Sequence, residues 1–163
     1  MPTPTQTTWL HIVNDFWDLW NSPNCIGAID GKHMKVQAPP NSGSKFFNYR
    51  HSFSVVLLAF IDARYKFTVV DDWSYGRNSD GGIFVYSKLG KCLETPLGIL
   101  EDKQLSGTSR LAPHVIVGDE PFPLETYLMR PYPGSPSKGD NEKSIFNYQL
   151  SRARRVVENA LEY

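Results

Sequence analysis

Four acidic residues, Asp30, Asp80, Asp119 and Glu158, each stand where an apolar run stops, a loop turns into a helix, or a helix presents a polar flank. Hard divalent cations take oxygen ligands. Mg²⁺ commonly keeps one or two protein carboxylates and completes its shell with water and substrate phosphate oxygens. A small set of acids on rigid elements therefore suffices for a Mg²⁺ or Mn²⁺ site. Two such ions about 4 Å apart activate water or a DNA 3′-hydroxyl and stabilise the leaving oxygen of an in-line phosphoryl displacement. The chain has 17 acids, so spacing alone selects no set. Each of the four also has a plainer reading. Asp30 can close a turn on Gly31, Asp80 can cap a helix, and Glu158 can pair with Arg154 one helical turn earlier.

The elements that must position these acids follow from the apolar pattern. Cys25 to Ile29 reads as a buried strand that delivers Asp30 to its end. Phe53 to Ile61 (FSVVLLAFI) is too uniformly apolar for a surface strand and reads as a central one. A tight connection at Asp62 to Arg64 leads into Tyr65 to Val70, giving an antiparallel hairpin. His114 to Gly118 is a short β-branched run that stops at Asp119. Helices are expected from Trp9 to Trp20, capped by Thr7 or Thr8; from Ser79 or Asp80 to about Leu93; and from Asn141 to Tyr163. In the last of these Phe146, Leu150, Ala153, Val157 and Leu161 form an apolar stripe, with Asn147, Ser151, Arg154 and Glu158 on one polar flank. The aromatic residues of the first helix recur at helical spacing and read as core rather than as a base-stacking platform. Thr95 to Pro113 and the proline-rich 120–137 segment read as irregular, apart from a turn near Leu124 to Met129.

A chain of 163 residues with 40% hydrophobic content accommodates one domain with a proper core. Residues 1–8 are expected to be disordered and residues 9–163 to form the domain. No window of 18 apolar residues and no secretory signal pattern is present, which favours a soluble intracellular protein with no membrane role. Cys25 and Cys92 lie in apolar-leaning segments without metal-ligand spacing and read as buried free thiols. Lys plus Arg and Asp plus Glu balance at 17 each. Nucleic-acid binders usually carry a basic excess, so any DNA affinity must be local or lent by a partner.

The segments NCIGAIDGKH, WSYGRNSDGGIF, VIVGDEPFPL and NYQLSRARRVVENA occur in this order. They resemble the successive blocks of the PIF/Harbinger-type transposase nuclease domain, a branch of the DDE superfamily, over roughly Pro23 to Ala160. The resemblance implies an α/β, RNase H-like mixed sheet flanked by helices and a metal-dependent nuclease or strand-transfer activity on DNA. Carried over residue by residue, it implies Asp30, Asp119 and Glu158 as catalytic metal ligands, with Asp80 as an auxiliary ligand of Mg²⁺ or Mn²⁺. By family topology Asp30 comes from the first strand, Asp119 from the end of the fourth and Glu158 from the following helix. Lys32, His33, Arg154 and Arg155 are weaker candidates for phosphate contact, a solvated strand end or helix face being the alternative. A Myb-like DNA-binding partner and a nuclear location are further implications. Family members continue past the helical Glu and carry more helical structure upstream, so an incomplete, C-terminally shortened domain is expected. The alternative function is an inactive interaction module.

Overall fold

The computed structural model describes residues 5–38, 40–75, 80–87, 90–91, 100–134 and 140–162, with residues 72–75 and 80–81 described by backbone alone. Helix α1 (Gln6–Trp20) starts earlier than its apolar spacing predicts. Thr5 is its N-cap, its side chain accepting from the Thr8 amide. Asn21 ends it in the left-handed region (φ 53°), where a short polar side chain is tolerated. Trp9, Ile12, Val13 and Phe16 are buried, whereas Trp17 is exposed. Trp20 is held at the helix end by donating its indole N–H to the Ala63 carbonyl.

The main sheet has the order β3-β2-β1-β6-β7. Its strands are β1 (Cys25–Lys35), β2 (Ser54–Ile61), β3 (Phe67–Tyr75), β6 (Val115–Val117) and β7 (Leu128–Met129). β1, β2 and β3 pair antiparallel, and β6 joins β1, and β7 joins β6, in parallel. A separate two-stranded ribbon, β4 (Lys103–Gln104) with β5 (Leu111–Ala112), lies within the stretch expected to be irregular. The Asn24 side chain ties that ribbon to the start of β1 by donating to the Lys103 and Ala112 carbonyls. Helix α2 (Asp80–Tyr86) packs on β2, and α3 (Asn141–Glu162) packs on β1, β2 and β6. The expected cap Ser79 lies outside the described residues, and α2 ends at Tyr86, with Ser87 already out of the helix, short of the expected end near Leu93.

This is a mixed α/β architecture of RNase H-like type, as the strand and helix order implies. The first five residues of β1 are all buried, which requires cover on both faces of the sheet. Phe16, Ile29, Phe60, Ile116, Phe122 and Leu128 are among the fully buried side chains at its centre. Cys25 is a buried free thiol, and burial pushes it up to about 12. Cys92 falls outside the described residues.

One expectation is corrected at the site itself. The strand carrying Asp30 does not stop there but runs on to Lys35, so Asp30, Lys32 and His33 lie within a paired strand rather than at its solvated end. Pairing with β2 carries it on: Asp30 opposes Ala59, and His33 opposes Val56.

Candidate metal centre

Strand register brings two of the acids together. β1 and β6 run parallel with Ala28 beside Val117, and two residues further along each chain stand Asp30 and Asp119. Side chains two apart share a face, and neighbouring strands lie about 4.8 Å apart. The two carboxylates therefore emerge from adjacent chain segments at one level of the sheet. Each is oriented by the amide that follows it: Asp30 Oδ1 accepts from Gly31 N, and Asp119 Oδ1 from Glu120 N, both at 2.8 Å. The plain reading of Asp30 as a residue bonded to Gly31 thus holds, and it serves to aim the carboxylate.

Packing of α3 on β1 and β6 delivers the third acid. Asp30, Asp119 and Glu158 line one cavity of about 480 Å³, with Lys32, His33, Tyr49, Arg50, Pro121 and Glu162 among its other walls. Arg154 cross-links the acids. Its Nη1 donates to Asp119 Oδ1 and its Nη2 to Glu158 Oε1, each at 3.1 Å. The expected pairing of Arg154 with Glu158 is present, but Arg154 is not on a solvated flank: it is 9% exposed. Arg155 is exposed and lies outside the cavity lining. Asp80 is the first residue of α2, and its side chain is outside what the structure describes.

His33 lines the same cavity as the three acids. Burial, and then the nearby Arg50 charge, hold its pKa below the ordinary histidine value, which favours the neutral ring. Its Nδ1 lies 2.9 Å from Ser54 Oγ. Tyr49 and Arg50, absent from the sequence-based candidates, join the wall through the turn that precedes β2. Their signal was an aromatic-basic pair (NYR) beside a candidate acid strand, which the loop-like composition around it obscured.

The donor set suits a hard divalent cation: oxygen ligands only, aimed by backbone amides, around a cavity with room for water and phosphate oxygens. Among the described residues no three acids, histidines or cysteines gather tightly enough to grip one ion by themselves. Asp30, Asp119 and Glu158 are the residues that could hold one or two ions jointly with water, with Arg154 compensating two of the three carboxylates.

A family model described as "DDE superfamily endonuclease" matches residues 29–163. The chain belongs to that family. This DDE endonuclease domain is 31% identical over 158 residues to "Protein ALP1-like" of Arabidopsis thaliana, covering 92% of this chain and 37% of that protein. It is 25% identical over 153 residues to "Putative nuclease HARBI1" of Rattus norvegicus, covering 93% of this chain and 38% of that protein. The DDE domain thus spans under two fifths of the length of these curated relatives. No solved structure matches it.

Proposed function

We propose that this DDE domain is a Mg²⁺- or Mn²⁺-dependent endonuclease that hydrolyses DNA phosphodiester bonds at the cavity of Asp30, Asp119 and Glu158. The observation that carries the reading is the parallel register of β1 and β6, which sets Asp30 level with Asp119 while α3 brings Glu158 to the same cavity. The DDE endonuclease family of the chain supports it. A bound divalent ion would supply water activation and neutralisation of charge on the leaving oxygen.

The chain's own residues have separate tasks. Asp30 and Asp119 hold their carboxylates in fixed orientation through the Gly31 and Glu120 amides. Glu158 offers a third oxygen donor, with Asp80 as an auxiliary one. Arg154 is a positioning residue that keeps Asp119 and Glu158 together before substrate arrives. Lys32 and Arg50 give the cavity wall the cations that hold phosphates flanking the scissile bond. DNA affinity beyond these contacts would come from a Myb-like partner in the nucleus, a division of labour that suits a chain with no net charge.

Nicking of supercoiled plasmid by the purified chain tests the reading. Cleavage is expected with Mn²⁺ or Mg²⁺, to be abolished by chelation, and to fall by at least about a hundredfold in Asp30→Asn and Glu158→Gln, since groups acting on a transition state carry several kcal/mol. Cleavage at the wild-type rate in both variants, or no metal-dependent cleavage by the wild type, would overturn the assignment.

A further inference from the structure

One part of the cavity wall is built as a rigid platform of which the hydrolytic reading uses only the Arg50 charge. Asn48, buried at 5%, closes the turn that carries Tyr49 and Arg50. Its amide donates to the Ser52 carbonyl, and its Oδ1 accepts from Arg50 N, Ser52 N and Ser52 Oγ at 3.0–3.1 Å. Three donors on Oδ1 fix the orientation of the side-chain amide, so Nδ2 points the other way and donates to Ser54 Oγ at 2.8 Å. At the base of the turn, Phe47 and Phe53 form a bridge and an edge-on ring pair with centroids 5.3 Å apart. The apex is thereby held from beneath by polar and apolar contacts together.

Ser54 passes this order on to His33. Its hydroxyl is fully buried and accepts from Asn48, which leaves its proton available to His33 Nδ1, 2.9 Å away. The neutral tautomer in which Nδ1 accepts from Ser54 carries the ring proton on Nε2, on the side away from Ser54. The His33 ring meets Tyr49 edge-on, with centroids 5.7 Å apart and planes at 87°. Arg50 folds back on Tyr49, its guanidinium 5.4 Å from the ring centroid and its Nε donating to the phenol oxygen at 3.1 Å. Tyr49 is nevertheless 72% exposed. A large aromatic ring that is pinned by two neighbours and left open to solvent, on the wall of a cavity lined by four carboxylates, is pre-organised to stack on a flat ligand.

We propose that Tyr49, Arg50 and His33 form a subsite for one unpaired nucleotide of single-stranded DNA adjoining the phosphate held at the acids. This rests on the reading of the cavity as a DNA site. Tyr49 stacks on the base, Arg50 contacts the flanking phosphate, and His33 Nε2–H donates a hydrogen bond to the same nucleotide. Within a duplex both faces of each base are covered by its neighbours, so the Tyr49 ring is usable only by an extruded or single-stranded base. Stacking is tolerant of base identity, so the subsite selects strandedness rather than sequence.

Binding of labelled oligonucleotides to the full chain, followed by fluorescence anisotropy without divalent cations and at one fixed low salt concentration, separates this from the nuclease reading. The wild type is expected to bind a single-stranded 12-mer about tenfold more tightly than the blunt duplex, the worth of one base stack. Tyr49→Ala should erase that preference, and Tyr49→Phe should keep it. Equal single-strand and duplex affinities in the wild type, or the same loss for both ligands in Tyr49→Ala, would overturn the subsite. Tighter binding of RNA of the same sequence would overturn its assignment to DNA. Nitrogen-15 histidine spectra provide the second readout: His33 should carry its proton on Nε2, and a Nδ1–H tautomer would remove the third contact. If plasmid nicking fails while the Tyr49-dependent preference is present, the subsite stands and the nuclease reading falls. If nicking succeeds without the preference, only the subsite falls.

Discussion

Arg154 shows how much one side chain decides in this site. It lies eight residues before the end of α3, is 11% exposed at the side chain, and spans two carboxylates that are each just over two fifths exposed. Removing one partner of a fully buried charge cluster costs about 3–5 kcal/mol, because a charge is left uncompensated. Water reaches Asp119 and Glu158, which lowers that figure to about 1–2 kcal/mol here. Arg154→Met keeps most of the stem and removes the charge, so metal-free protein should melt about 2–6 °C lower by scanning calorimetry. Millimolar Mn²⁺ should stabilise Arg154→Met by more degrees than it stabilises the wild type, since a ligand that binds only the native state adds stability by mass action. Arg155→Met is the control: an exposed residue off the cavity should change stability by no more than about 0.5 kcal/mol. Equal melting of the wild type and Arg154→Met would show that Arg154 does not hold the acids together.

At the level of elements, the central pairing of β1 with β2 is what keeps Asp30 where it is. Gly27 lies on β1 against the Phe60 ring, and a Cβ there would stand 2.1 Å from Phe60 Cζ. Phe60 is buried at 1% and stacked edge-on to Trp9 of α1, so the ring has little room to yield. Gly27→Ala should destabilise the domain by about 1–3 kcal/mol through overpacking, read as a lower midpoint of urea unfolding with an unchanged slope. An unchanged midpoint would mean that β1 and β2 can separate without cost. The same pairing explains what could be read from the chain. Apolar runs announced the buried parts of β1, β2 and β6 and the stripe of α3. The segment Asp30–Lys35 carried no apolar signal, because its strand form comes from the partner strand β2. β7 is two residues long, too short for any periodicity to show. The acids were identifiable by family resemblance, but their proximity depends on the β1–β6 register, and the burial of Arg154 depends on Asp119 arriving from a different element to compensate it.

Across the whole molecule, acids and bases cancel, so affinity for a polyanion must come from local charge. Locally the balance is unfavourable. Four carboxylates line the cavity (Asp30, Asp119, Glu158 and Glu162) against two cations (Lys32 and Arg50), and adding Arg154 behind the wall leaves four negative charges to three positive. A phosphate entering this cavity without a divalent ion meets net repulsion. Divalent cations ordinarily weaken protein–DNA binding, because they compete for the phosphates that basic side chains would neutralise. Here the sign should reverse. At constant ionic strength, millimolar Ca²⁺, which takes oxygen ligands as Mg²⁺ does, should tighten binding of a short duplex by at least about tenfold, as measured by anisotropy. Asp119→Asn should bind the duplex better than the wild type without the ion and gain less from it, because one of the repelling charges and one of the ligands are the same group. Weaker binding on adding Ca²⁺, in the wild type and Asp119→Asn alike, would mean that DNA is held elsewhere on the surface and that these acids face no phosphate.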